Sequence, residues 1–385
     1  MRLLIAGGGT GGHIYPALAV ARSLRASTAE PELTWLGGHR GLEASIVPGS
    51  DIALRRLLLR SLRSTDRSIH LVLDPARLTL SVPQASAILV RERPAAIFTT
   101  GGYVAIPVLL AASSLRIPVV MWEGNVIPGR SVRATARLAD AVAVSNGATC
   151  AALNVRAGRC FETGTPIRDL AGIDPLAARA RFGVPAGDRL LLIFGGSLAV
   201  RRFNAAVAGA LGRLVERVHV VHVTGEAGYA AALAGREALP DGLRDRYRPY
   251  PFLRDEMTDA LVAADLIVGR AGSSTLAEAT ALGRPLVIVP YPHAAGHQQA
   301  NATPLVEAGA ARLIEDDRFD AEALLDAAAI LDDPAAHNAM AAASRALGRP
   351  AAAAAVAELV LAAAERRAFP EPAAVLRRSR GELAG

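Results

Sequence analysis

A chain of 385 residues exceeds the usual span of one domain, so two domains are expected, and a content that is 51% apolar excludes a disordered protein. The formal charge is +6 with no lysine at all, a balance compatible with phosphate-bearing substrates, an anionic membrane or nucleic acid, and one that by itself chooses none of them. An arginine-only, alanine-rich chain most simply reflects a GC-rich genome, and a nucleic-acid role has only the charge behind it, so none is expected.

In chain order, short apolar runs alternate with longer helical patterns, the signature of βαβ units and parallel sheets. The first half predicts strands at residues 3–6, 33–36, 96–99, 119–122 and 141–144. The second predicts them at 190–194, 218–223, 266–268 and 286–289. Both halves open alike, with an apolar strand running into glycines at Gly7-Gly8-Gly9 and at Gly195-Gly196-Ser197. The fold class is therefore α/β, with two Rossmann-like doubly wound domains. Residues 1–163 form the first domain and 164–350 the second. Residues 351–385 supply a C-terminal helix packing back on the first domain, then an aperiodic tail from Phe369 that reads as frayed.

Cys150 and Cys160 make neither a disulfide framework nor a metal cluster, and read as ordinary buried thiols in a reducing cytoplasm. Glycines arrive at Gly7, too early for a signal-peptide core, and the apolar stretch 104–122 is interrupted by Pro107, Arg116 and Pro118. The expectation is a cytoplasmic protein, whatever surface it visits.

Four strand ends run into glycine turns: Gly8-Gly9-Thr10-Gly11-Gly12-His13, Thr100-Gly101-Gly102-Tyr103, Gly195-Gly196-Ser197 and Arg270-Ala271-Gly272-Ser273-Ser274-Thr275. Glycines let backbone N–H groups approach an anion, and a following helix N-terminus favours negative charge. A tight turn, or a helix capped by Ser273 or Ser274, is the plainer reading of any one of them. Four together describe a ligand cleft at the carboxyl edges of two sheets. Glu278 follows the last turn at a distance suited to gripping a vicinal diol with its two oxygens. His293 and His297 stand four apart with no third metal ligand nearby. The sequence contains neither a D-x-D pair nor a P-loop, so no metal and no cofactor are implied.

Gly8-Gly9-Thr10-Gly11-Gly12-His13-Ile14-Tyr15-Pro16-Ala17, Gly101-Gly102-Tyr103-Val104, Gly195-Gly196-Ser197, Arg270-Ala271-Gly272 with Thr275 and Glu278, and His297-Gln298 with Asn301 occur in one order over residues 1–365. In this the chain resembles the bacterial peripheral-membrane transferases that move N-acetylglucosamine from UDP onto undecaprenyl-diphosphate-muramyl-pentapeptide (lipid I), giving lipid II for peptidoglycan. The resemblance implies a GT-B architecture, two domains facing across a cleft, and metal-independent, inverting transfer. UDP-GlcNAc would sit in the second domain and lipid I in the first, at the cytoplasmic face of the cell membrane. Carried over by position, Leu253 would meet uracil and Glu278 the ribose. Arg168, Ser197 and the turn Ser273-Ser274-Thr275-Leu276-Ala277 would hold the diphosphate. Gln298, Gln299, Asn301 and, from the first domain, Asn125 would contact the donor. Thr10, Gly11, Gly12 and Tyr103 would line the cleft floor. His13 is the leading candidate for the base on the muramyl 4-hydroxyl, with Glu123 its rival.

Membrane contact would come from residues 54–80, where Arg55, Arg56, Arg60, Arg63, Arg67 and Arg77 mix with leucines, Ile69 and Val72. A solvated basic helix face is the alternative. Trp122, Gly124 and Leu198 depart from the family pattern. Three other readings remain: a related UDP-sugar transferase with another lipid or natural-product acceptor, a UDP-sugar 2-epimerase, and a non-catalytic UDP-sugar-binding scaffold.

Overall fold

The structure is a computed structural model describing residues 1–27, 30–60, 70–196, 201–294 and 296–382. The chain divides into two compact units, Met1–Arg168 with Arg349–Gly385, and Asp169–Gly348.

Unit 1 runs β1 (Arg2–Ala6), α1 (Gly11–Arg25), β2 (Glu32–Arg40), α2 (Glu43–Ile46), β3 (Ala53–Arg60), α3 (His70–Glu92), β4 (Ala96–Thr99), α4 (Ala105–Leu115), β5 (Val119–Glu123), α5 (Arg130–Thr135), β6 (Ala141–Val144) and β7 (Cys160–Glu162). Its strands pair in parallel in the order β3-β2-β1-β4-β5-β6-β7. The central strands are buried on both faces, as crossover helices require. Leu3 and Ile5 of β1 enter one apolar core while Leu4 and Ala6 enter the other.

Unit 2 runs α6 (Pro175–Arg181), β8 (Leu190–Phe194), α7 (Arg201–Val215), β9 (His219–Val223), α8 (Glu226–Glu237), α9 (Asp241–Arg244), β10 (Tyr247–Tyr250), α10 (Glu256–Ala263), β11 (Leu266–Gly269), α11 (Ser273–Ala281), β12 (Leu286–Ile288), α12 (His297–Glu307), β13 (Ala311–Leu313), α13 (Ala321–Ala328) and α14 (Pro334–Leu347). The sheet order is β10-β9-β8-β11-β12-β13, again parallel. The chain then returns to unit 1 as α15 (Ala352–Ala364) and α16 (Pro372–Ser379).

In each unit the direction of winding reverses beside the first strand, between β1 and β4 and between β8 and β11. A crevice opens at the carboxyl ends of the strands on either side of such a reversal, because their connections leave to opposite faces. All four glycine turns lie there. That placement, more than the glycines themselves, locates the candidate sites.

Two expectations are corrected. Cys150 and Cys160 are joined in a disulfide with Cα atoms 5.9 Å apart. Cys150 lies in the turn after β6 and Cys160 opens β7, so pairing of these adjacent strands returns the chain to itself. The tail is not frayed through its length, since α16 buries Val375 and Ser379 completely and Arg378 pairs with Glu358 at 2.6 Å. Those two buried residues share a helix face at i, i+4. One of them is a serine, so no apolar stripe marked it.

The helical stretch Pro334–Ala364 is apolar and long enough to cross a membrane, but it is half buried and consists of α14 and α15 with a break between them. Val356, Leu359 and Val360 of α15 are core residues of unit 1.

Candidate active site

In unit 1 the Gly7–Gly12 loop leaves β1 and enters α1, whose N-cap is Thr10; the Thr10 carbonyl accepts from His13 and Ile14 N–H. His13 stands in the first turn, half-buried. Its Nδ1 lies 2.7 Å from the Thr100 carbonyl at the end of β4, so Nδ1–H is the donor, and in the neutral ring the lone pair is on Nε2. The ring lies over Gly102, where a Cβ would stand 3.8 Å from Nε2 and where φ is +77°, a conformation glycine adopts without strain. The two loops at the reversal point are thus joined through this histidine.

A residue unremarked in the sequence organises the rest. Glu43, at the start of α2, is 0% exposed. Its Oε2 accepts from Gly9 N–H at 3.0 Å and its Oε1 from Gly38 N–H at 2.8 Å, and the Tyr103 hydroxyl donates to Oε1 at 3.4 Å. A Cβ on Gly8 would come within 2.6 Å of this carboxylate and one on Gly37 within 2.8 Å of its side chain, while Gly38 and Gly41 also crowd the same group. The glycines around it exist in part to admit Glu43. The available signal was an acidic residue directly after Gly37-Gly38-His39-Arg40-Gly41-Leu42. Tyr103 is buried beside it, and burial first, then the Glu43 charge and hydrogen bond, raise its hydroxyl pKa. Tyr103 therefore braces the loop from inside the unit.

Glu123 ends β5 and is only 4% exposed. Its Oε1 accepts from Asn125 N–H at 2.9 Å and Asn125 Nδ2 at 3.0 Å, and its Oε2 from Gly129 N–H at 2.9 Å. The carboxylate holds the turn that presents Asn125. Thr149, next to Cys150, donates to the Asn125 and Val126 carbonyls from the other side. Trp122 points into the core, its indole N–H donating to the Gly164 carbonyl at 3.0 Å. Its departure from the family pattern thus falls in packing. Arg168, half-buried, ends the first segment of unit 1.

In unit 2, Gly195 and Gly196 follow β8, and Ser197 and Leu198 lie outside the described residues. Across the reversal point, Gly272 is the N-cap of α11, with no side-chain cap, so neither Ser273 nor Ser274 caps the helix. Ser273, Ser274 and Thr275 form the first turn, whose N–H groups have no carbonyl within the helix to meet. Leu276 is buried in the core and Ala277 is half-buried, so at Leu276 only the backbone faces the turn. Glu278, one turn further on, is 7% exposed.

α12 steadies this turn from two sides. Gln298 Oε1 accepts from Ala271 N–H at 3.2 Å and from Tyr291 N–H at 2.8 Å, and Asn301 Nδ2 donates to the Ala271 carbonyl at 3.3 Å. These residues share a helix face at i, i+3. With its oxygen engaged, Gln298 has its Nε2 amide to offer a ligand. Gln299 instead donates to Glu315 at 3.4 Å, on the surface. Arg270 is buried, donating to the Val289 and Pro290 carbonyls and pairing with Asp316 at 2.5 Å, with its guanidinium over the Phe203 ring. Leu253 sits half-buried between β10 and α10, against the core. Among the described residues no group of three or more His, Cys, Asp or Glu could hold a metal ion.

Two doubly wound parallel sheets, each with glycine turns and a helix N-terminus at its reversal point, define the GT-B class of nucleotide-sugar glycosyltransferase fold. The glycosyltransferase family 28 N-terminal domain matches residues 3–144 and the family's C-terminal domain residues 190–358. The UDP-N-acetylglucosamine–N-acetylmuramyl-(pentapeptide) pyrophosphoryl-undecaprenol N-acetylglucosamine transferase of Desulforamulus reducens is 36% identical over 91% of this chain and 95% of its own length. The transferase of the same name from Frankia casuarinae is 38% identical over 97% and 99%. The crystal structure of Acinetobacter baumannii MurG superposes with a TM-score of 0.75 at 28% identity, covering 94% of this chain and 99% of the other. The chain belongs to this transferase family, within glycosyltransferase family 28.

Proposed function

We propose that this protein transfers N-acetylglucosamine from UDP-GlcNAc to the C4 hydroxyl of the muramyl residue of lipid I, forming lipid II with inversion at the anomeric carbon. The observation that carries the reading is identity of 36–38% to transferases of that name over nine-tenths or more of both chains. Unit 2 takes the donor. The first-turn N–H groups of α11 meet the diphosphate, Glu278 the ribose hydroxyls, Leu253 the base, and Gln298 Nε2 the sugar. Unit 1 takes the acceptor and supplies the base.

In the reaction the muramyl oxygen bonds to the anomeric carbon as the bond from that carbon to the UDP oxygen breaks. The hydroxyl proton passes to His13 Nε2, and the electron pair leaves with UDP. The Thr100 hydrogen bond favours this role by keeping the proton of neutral His13 on Nδ1. Glu123 suits the role less, because both its oxygens already accept backbone hydrogen bonds. Charge growing on UDP is offset by the α11 dipole, which is oriented before the reaction begins.

The protein acts at the membrane as a peripheral enzyme of the cytoplasmic face. Leu58 on β3 and Leu80 on α3 are exposed apolar side chains, and Gln84 bonds these elements to each other through Leu58 N–H and the Arg56 carbonyl. Arg55 and Arg56 belong to β3 and Arg77 to α3, and Arg55 pairs with Glu92 at 2.9 Å; Arg63, Arg67 and Ile69 lie outside the described residues.

Turnover of labelled UDP-GlcNAc with a short-chain lipid I analogue in EDTA tests the reading. Labelled lipid II analogue is the expected product, and none, even with Mg²⁺ and natural lipid I, would refute it. His13→Ala is expected to lower kcat by about 10²–10⁴ with UDP affinity retained, and wild-type turnover would remove His13 as the base. Glu278→Ala is expected to weaken UDP-GlcNAc binding by tenfold or more, on the order of ~1.5–3 kcal/mol for a hydrogen bond to a charged group; unchanged affinity by calorimetry would remove the ribose contact.

A further inference from the structure

On the edge of the unit 1 sheet away from the glycine turns lies a concavity of about 610 Å³. Its rim comes from the segments just before β5, β6 and β7 and from the ends of α4 and α15. It is one strand length, roughly 15 Å, from the candidate active site. Six arginines line it: Arg116, Arg137, Arg156, Arg159, Arg366 and Arg367. Its single acidic lining residue, Asp140, accepts the Val119 N–H at 2.9 Å.

Little else neutralises this charge. Arg367 pairs with Glu365 at 2.8 Å, and Arg159 lies over the Phe369 ring at 4.6 Å. Among the described residues, Arg116, Arg137, Arg156 and Arg366 meet no carboxylate within ion-pair distance. The C-terminal ends of α4 and α15 contribute about half a negative charge each. After these, Asp140 and Glu365 are counted, about three positive charges remain, enough to balance a pyrophosphate group. Arg116 and Arg366 also hold left-handed backbone, φ 55° each, at helix ends where glycine is the usual residue. Capping alone would favour glycine at both positions, whereas arginine brings two guanidinium forks to one cavity.

We infer that this pocket is a second anion site, taking a ligand that carries two or more phosphate groups. Planar guanidinium forks grip phosphate oxygens two at a time. The cavity size is that of a small-molecule site, and the Phe369 ring gives it an apolar wall. The phosphate can belong to a soluble metabolite or to a lipid headgroup.

The test is calorimetric titration of the whole protein with pyrophosphate at 0.15 M salt, under saturating UDP to occupy the donor site. Two double variants, Arg116→Gln with Arg366→Gln and Arg137→Gln with Arg156→Gln, are compared after their unfolding temperatures are checked. Because the pairs sit on different elements, one misfolded variant leaves the other informative. Each pair is expected to bind pyrophosphate at least about tenfold more weakly, with transferase turnover on a soluble acceptor kept. Flotation with phosphatidylglycerol and phosphatidylcholine vesicles identifies the source. Anionic-vesicle binding lost together with pyrophosphate binding assigns a lipid headgroup, and vesicle binding retained assigns a soluble phosphate. Unchanged pyrophosphate affinity in both pairs, with unchanged vesicle binding, would overturn the site.

Discussion

Replacing Glu43 by glutamine keeps the side chain's size and removes half of its accepting capacity. The carboxylate takes Gly9 N–H on one oxygen and Gly38 N–H on the other, with no exposure to water. In Glu43→Gln one of those oxygens becomes an NH₂ that faces an N–H, so one charge-assisted bond is lost and a buried donor is left unmet. The cost is about 2–3 kcal/mol. For a unit of this size each kcal/mol lowers the unfolding temperature by about 2–4 °C, giving a drop of roughly 4–12 °C in the unit 1 transition. Gly9 precedes the N-cap of α1 by one residue, so the loop presenting His13 loosens as well and kcat falls. Scanning calorimetry on the whole protein, paired with turnover and UDP titration, reads these separately. UDP affinity is expected to stay at the wild-type value, since the donor site proposed above belongs to unit 2. A variant with unchanged unfolding temperature and turnover would show that the glycine loop does not need the carboxylate. A variant that instead lost UDP affinity would place Glu43 in the wrong site.

Two further outcomes concern stability. His222 is 1% exposed beside Tyr247, and burial pushes its pKa down to about 4 from 6.5. The unfolded chain therefore takes a proton that the folded chain refuses, so stability is full above about pH 6.5 and falls by ~1.4 kcal/mol per unit down to about pH 4. His222→Gln should flatten that slope in urea titrations between pH 6.5 and 4.5, and an unaltered slope would shift the cause to other groups. Val375→Asp puts a carboxylate into the unit 1 core, where Val375 is fully buried. A loss of at least ~2 kcal/mol in urea unfolding is expected; tolerance of the change would mean that α16 does not dock in solution.

The sequence by itself determined the fold class and the strand ends at which the glycine turns fall. The interior strands β1, β2, β4, β5 and β6 of unit 1 and β8, β9, β11 and β12 of unit 2 each contain a mostly apolar run, because strands covered on both faces are predominantly apolar. The strands that escaped notice are β3, β7, β10 and β13, which are the four edge strands. Edges tolerate arginine, proline and short length, as Arg55 and Arg56 in β3 and Pro249 in β10 illustrate. The glycine turns were legible because each follows a strand, and Gln298 and Asn301 could be paired because they are three apart on one helix.

Only the tertiary structure decided what those residues touch. Glu43 reaches Gly9 across 34 positions and His13 reaches Thr100 across 87. Cys150 meets Cys160 because β6 and β7 are neighbours in the sheet. The pocket arginines come from 116 to 159 and again from 366 and 367, distances over which no periodicity carries. Local pattern specifies whether a segment is strand or helix, since period and propensity are properties of adjacent residues. Partnership between loops is set by strand order, and strand order is fixed only when the whole sheet has formed.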